Sequence, residues 1–244
     1  MVKFTTYACR AIAAHLLLIA SMNGLQSFFI RNKRKGGIFI SEEASEIRQQ
    51  IYILFSHLFS KPSSELRSEL CGGVHEELFQ NYSEFADDVS LPKSWHPENI
   101  PKLSEWMNLW KKNFQPGDAK VRLIESVYKP WTVDDSCQMP FADEKGFIMG
   151  DWAHHMLHLY DLFNFELPEE FSHCPDHLVL ELEFMSLLVE EVEHEKQQQF
   201  IEQHLDWIDE LKESGKESEV AEEFLDLFNW LQSFLASDKD YLTG

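Results

Sequence analysis

Cations, glycines, prolines and cysteines are all scarce in this chain, and each shortage removes a class of protein. Lys and Arg number 21 against 42 Asp and Glu, a formal charge of −21 over 244 residues. A body so poor in positive charge is unsuited to gripping a phosphate backbone, so no nucleic-acid partner is expected. Gly and Pro number 10 and 9, which excludes collagen-like and low-complexity architectures. Cys9, Cys71, Cys137 and Cys174 form no C-x-x-C pair, which argues against zinc ribbons, disulfide scaffolds and oxidising compartments. Catalytic signatures are missing too: no G-x-G-x-x-G, no P-loop, no G-x-S-x-G elbow and no H-E-x-x-H. What is present is a 44% hydrophobic, 26% charged chain, too apolar for intrinsic disorder.

The charge is uneven. Residues 1–40 hold Lys3, Arg10, Arg31, Lys33, Arg34 and Lys35 and no acid, a charge of +6 that leaves −27 on residues 41–244. Between Ala11 and Ile30 there is no charged residue, and Leu16 to Ile19 make a short apolar centre. A targeting or anchoring segment has this outline, but His15, Asn23, Gly24 and Gln26 interrupt it. Residues 1–40 are therefore expected to be a basic, apolar extension outside the fold. The folded domain is expected over 41–244, with the boundary near Gly36-Gly37.

From Ser41 onward the apolar spacing is helical. Ile47, Ile51, Leu54, Phe55, Leu58 and Phe59 recur at three- and four-residue steps. Ser41 reads as the N-cap and Lys61-Pro62 as the stop. Further helices are expected over 63–70, 75–87, 99–114 and 121–127. Residues 88–101 and 115–146 carry most of the prolines and read as loops. Beyond Pro175 there is no proline, so long helices are expected over 150–163, 176–193, 196–212 and 218–236. No segment alternates with period two. The expectation is an all-α single domain of about eight or more helices.

Candidate chemistry is sparse. Asp151, His154, His155 and His158 share helix faces at i, i+4 spacing, a pattern that can hold zinc or iron, so a helical metal-dependent enzyme is one reading. The stripe Phe147, Trp152, Met156, Leu159, Tyr160 and Phe163 explains the same helix by packing alone. Cys174, Asp176 and His177 bring a thiol, a carboxylate and an imidazole together across Pro175, an arrangement unsuited to a catalytic thiolate. Residues 181–226 carry sixteen acids against three Lys, which on helices is usually a solvated face. An acidic, aromatic and Met-bearing body suits a peptide that is cationic at one end and apolar in the middle.

Cys174-Pro175-Asp176-His177-Leu178 followed by Glu181-Leu182-Glu183-Phe184-Met185 resembles the PDHL…ELEFM signature of the TorD/DmsD/NarJ-type redox-enzyme maturation chaperones. Glu125-Ser126-Val127-Tyr128-Lys129-Pro130-Trp131, Lys145-Gly146 and Met149-Gly150-Asp151 look like the same family. The resemblance implies an all-helical cytoplasmic chaperone with no catalysis and no cofactor. It would bind the twin-arginine signal peptide, or the apo form, of a molybdopterin oxidoreductase, assisting cofactor insertion and delaying export. It further implies GTP as a possible ligand, no stable membrane association, and either a monomer or a domain-swapped dimer. Its peptide-binding residues would be Asp176, His177, Tyr128, Trp131, Asp151 and Glu181.

Read from the residues alone, Asp176 is either a simple N-cap, worth about 1 kcal/mol, or an acid at the mouth of a groove, open to a guanidinium. His177 falls in the first helical turn, where the dipole disfavours its protonated form. Tyr128 and Trp131 either plug the core edge or line the site. Asp151 either caps its helix or lines the site, and at most one of Glu181 and Glu183 approaches a ligand. The remaining reading is an adaptor tethered to a membrane by residues 11–30.

Overall fold

In the computed structural model the described residues are 38–117 and 119–244, with side chains from 42 onward. They form helices α1 (Ile38–Phe59), α2 (Ser64–Cys71), α3 (Val74–Tyr82), α4 (Leu103–Phe114), α5 (Glu125–Tyr128), α6 (Asp151–Phe163), α7 (Leu178–Glu191), α8 (His194–His204), α9 (Ile208–Glu217) and α10 (Glu222–Thr243). Short 3-10 turns at Lys93–Trp95, Pro97–Asn99 and Glu169–Phe171 punctuate the loops. The described residues contain no strand, only an isolated antiparallel bridge between Ile124 and His177. The fold is all-α. The charge-free stretch Ala11–Ile30 and most of the 1–40 extension lie outside the described residues.

The core follows from the apolar spacing. On α1, Ile51, Phe55, Leu58 and Phe59 are buried, as expected, and so is Tyr52. They meet α10, whose Leu227, Phe228, Trp230, Leu231 and Phe234 are fully covered. Ring pairs join the two helices: Phe55 to Trp230 at 5.0 Å between centroids, Tyr52 to Phe234 at 4.9 Å and Phe59 stacked on Phe228 at 5.7 Å. Such pairs add about 0.5–1.5 kcal/mol each beyond the area they bury. α7 is buried around most of its circumference, from Leu178 to Val189, and α8 and α9 complete the bundle against α7 and α10.

Several expected boundaries move. Ser41 is not an N-cap, because helical backbone already runs from Ile38. Phe147 lies before α6 and belongs to the preceding loop. The helix expected over 196–212 is two helices, α8 and α9, parted at Leu205–Trp207. At the break Lys129 Nζ, from a distant segment, donates to the Gln203 carbonyl at 2.6 Å, and Trp207 Nε1 donates locally to the His204 carbonyl at 2.9 Å. α10 starts at Glu222 rather than Ser218, after Glu219 takes a left-handed φ of 53°. α5 is one turn starting at Glu125, because the bridge to His177 holds Ile124 extended.

Among the described residues no helix is long and apolar enough to cross a membrane.

Candidate functional site

The Ile124–His177 bridge builds the site. Glu125 N donates to the Asp176 carbonyl at 2.9 Å and Leu178 N to the Leu123 carbonyl at 2.9 Å. This sets the start of α5 beside the start of α7. Asp176 is completely buried there. Its Oδ2 accepts from Ser126 N at 2.8 Å and from the Ser126 hydroxyl, while Oδ1 is buried with no hydrogen-bond partner. Burial raises its carboxyl above the ordinary value, against the lowering effect of the Ser126 bonds.

This corrects both readings of Asp176. It is not the N-cap of α7, and it does not stand open at the mouth of a groove. The cap is His177, one residue later, whose Nδ1 accepts from Val179 N at 3.3 Å. An Nδ1 that accepts carries no proton, and burial lowers this imidazole from its ordinary 6.5 to about 4. His177 is partly buried under Phe171, with ring centroids 4.9 Å apart. Burial raises the Cys174 thiol to about 11, the opposite of the lowered value that marks a reactive thiolate.

One turn further along α7, Glu181 is also completely buried. Its Oε2 accepts from Trp207 Nε1 at 3.1 Å, and its Oε1 has no donor. Burial, with the nearby Glu125 and Asp176 carboxyls, holds Glu181 well above its ordinary value. Glu183 points elsewhere and accepts from the Ser56 hydroxyl at 3.1 Å, so Glu181 alone enters the cluster.

Glu125 is the hub. Its Oε1 accepts from Lys129 Nζ at 2.8 Å and its Oε2 from His204 Nδ1 at 2.8 Å. Lys129 also pairs with Asp206 at 2.5 Å and lies over the Trp152 ring at 4.0 Å. Burial alone would lower the Lys129 ammonium, but Glu125 and Asp206 together hold it above its ordinary value. The His204 ring continues to His155, with Nε2 and Nδ1 2.8 Å apart. Sequence reasoning quoted Glu125 and Lys129 inside a motif without giving them a role, and it missed His204 and Trp207. The i, i+4 Glu-Lys pair was a usable signal. His204 had none, since it arrives from another helix.

The other expected site residues separate. Tyr128 is buried and stacks on Trp207 at 5.3 Å, so it plugs the core edge, and burial raises its phenol to about 12. Trp131 is partly buried against Phe141. Asp151 neither caps α6 nor joins the cluster. Its Oδ2 accepts from Thr132 Oγ1 at 2.5 Å and Val133 N at 3.0 Å, fastening the loop before α6.

The metal reading of Asp151, His154, His155 and His158 is corrected with it. Asp151 is spent on the loop, His154 and His158 face solvent, and His155 turns to His204. Among the described residues the ligand atoms that converge are those of Glu125, Glu181 and His204, within 4.8 Å of one another. Of the three, Glu125 is paired with the Lys129 ammonium. A surface recess of 260 Å³ lies elsewhere, lined by Glu76, Phe79, Gln80 and Ser83 among others, and includes none of these groups.

A family model described as nitrate reductase delta subunit matches residues 77–213, more than half of the chain and all of the site just described. No curated protein matches. A crystal structure of a proposed redox enzyme maturation protein from Archaeoglobus fulgidus is similar at 15% identity and a TM-score of 0.47, covering 88% of this chain and 99% of that one.

Proposed function

The chain belongs to the nitrate reductase delta subunit family, the NarJ/TorD-type molybdoenzyme maturation chaperones, and from that premise we propose that it binds the twin-arginine leader of its client oxidoreductase. The client is a molybdopterin enzyme held in its apo form in the cytoplasm until its cofactor is inserted, and export waits on release. The protein acts by binding, without catalysis.

One observation carries the leader reading: the buried Asp176 Oδ1 that no donor satisfies, beside two further buried acids and the Lys129 ammonium. An orphaned buried acceptor costs about 1–3 kcal/mol, and a guanidinium supplies paired N–H donors that remove that cost. Because Asp176 is completely buried, entry requires its surroundings to open. Arginine arrival would also favour the ionised forms of Asp176 and Glu181, whose carboxyls burial raises above their ordinary values. Charge supports the same partner, since the −27 of residues 41–244 attracts a cationic peptide from a distance.

Calorimetric titration of the full chain with the leaders of molybdoenzymes from the same genome tests this. The expected result is saturable binding at micromolar Kd or tighter, roughly tenfold or more weaker with Arg-Arg→Lys-Lys peptide or Asp176→Asn protein, and accompanied by proton release. Folded protein that binds no leader overturns it.

A further inference from the structure

Three separate helices supply the side chains whose ligand atoms converge: Glu125 from α5, Glu181 from α7 and His204 from the end of α8. All three are fully buried. A neighbour fixes one polar atom of each. Lys129 Nζ donates to Glu125 Oε1 at 2.8 Å, Trp207 Nε1 donates to Glu181 Oε2 at 3.1 Å, and His155 Nδ1 stands 2.8 Å from His204 Nε2. The atoms left over are Glu125 Oε2, Glu181 Oε1 and His204 Nδ1. The first and last of these lie 2.8 Å apart.

Convergence of acids alone would not make a site, but Glu181 Oε1 adds an independent observation. It is buried and no donor reaches it, which is costly unless a donor or a cation meets it. The fixed partners point the same way, because metal ligands are commonly oriented by bonds to their other polar atom. A His204 that coordinates through Nδ1 carries its proton on Nε2, where His155 Nδ1 can accept it. His155 is itself exposed, so this pair of rings connects the cluster to solvent. Charge agrees as well. With Glu125, Glu181 and Asp206 ionised, three negative charges stand against the single positive charge of Lys129, and a divalent cation supplies the other two.

We propose that Glu125, Glu181 and His204 bind a divalent transition-metal cation, with zinc as the ion that fits best. Two carboxylate oxygens and one imidazole nitrogen fall within the ligand types zinc takes, and leave a fourth position for water. The imidazole disfavours calcium and magnesium, which take oxygen ligands. Bound there, the ion would clamp α5 to α7 and α8 and stabilise the folded chain by mass action. The site does not depend on leader binding, since Asp176 stays with Ser126.

The test uses the untagged full chain, stripped of metal by a chelator and titrated with zinc alone against a chromophoric competitor. Zinc is offered to the folded protein and also during refolding from urea, so that a slow path inward does not hide the site. The expected result is one zinc per chain at micromolar Kd or tighter, with a Tm that rises as zinc is added. In Glu181→Gln and in His204→Gln, each verified as folded by circular dichroism, affinity should fall roughly tenfold or more and the Tm rise should vanish. His154→Gln with His158→Gln, an exposed pair on α6, should change neither. Cobalt(II) reads the ligands in the wild type without any substitution: the expected spectrum has the visible bands of a low-coordinate ion and no thiolate charge transfer. Wild type that takes up zinc in neither preparation overturns the proposal. So does full zinc affinity in folded Glu181→Gln, loss of binding in the α6 variant, or a cobalt spectrum showing thiolate ligation.

Discussion

Two buried ionic clusters lie in this bundle, and they are built to opposite rules. In the first, Arg48 of α1 and Asp238 of α10, both fully buried, form a two-point contact, Nε to Oδ1 at 2.5 Å and Nη2 to Oδ2 at 3.0 Å. Tyr52 donates to the same carboxylate at 2.7 Å, Gln197 accepts from Arg48 at 2.7 Å, and the Tyr241 ring lies 5.1 Å from the guanidinium carbon. One cation meets one anion, and both Asp238 oxygens have donors. In the second, three acids are buried, Lys129 and His204 pair with Glu125 alone of the three, and two acid oxygens, on Asp176 and Glu181, have no donor. Charge balance makes the first a staple between the ends of the fold. The crowding of acids in the second raises the carboxyls of Asp176 and Glu181 and favours the arrival of a further cation.

The largest effect should come from breaking the staple. Asp238→Asn leaves the Arg48 charge buried and unpaired, which costs about 3–5 kcal/mol. Replacing both partners together, Arg48→Met with Asp238→Leu, should recover most of that loss, since buried pairs are commonly replaceable by apolar residues of similar size. Urea unfolding of the three proteins checks this. A single variant as stable as the wild type would mean that the two clusters do not differ in the way their charges imply.

Much of the architecture was legible in the sequence. The stripe from Ile47 to Phe59 and the proline-free half after Pro175 both led to helices, and helices are what form. The break between α8 and α9 was not legible, because Lys129, which takes the Gln203 carbonyl, reaches it from outside the local pattern. Asp176 shows the same limit more sharply. Proline followed by Asp is a strong capping signal, but the Ile124 bridge shifts the cap by one residue and turns Asp176 inward to Ser126. Periodicity reports which face of a helix is buried. It does not report which buried acid will lack a donor, because the donor belongs to a distant segment.

The second cluster makes a smaller prediction in the opposite direction. Glu181 holds its proton well above the ordinary 4.5, so the stability it contributes is complete below that value and is lost as pH rises toward its folded pKa. Gln has the same shape and cannot ionise. Glu181→Gln should therefore stay within about 1 kcal/mol of the wild type near pH 5 and gain on it steadily toward alkaline pH. Melts across that range measure the difference. A constant deficit of several kcal/mol would show that Glu181 is ionised and paired like Asp238, and the contrast between the clusters would collapse.

The smallest effect concerns the residue that follows Asp176 and caps α7. His177 caps α7 through an unprotonated Nδ1, and its pKa is lowered from 6.5 to about 4. For a depressed imidazole the native state is favoured above the unfolded value, and that advantage is lost as pH falls from about 6.5 to about 4. Asn is an equally good N-cap acceptor and does not titrate. His177→Asn should match the wild type in stability at neutral pH and become relatively more stable through this acid window. His177→Ala should instead cost about 1 kcal/mol of cap at neutral pH. Because Arg48 and Asp238 lie outside this turn, their staple should leave the acid slope unchanged in both variants. If Asn and Ala cost the same at neutral pH, the imidazole is not serving as the cap.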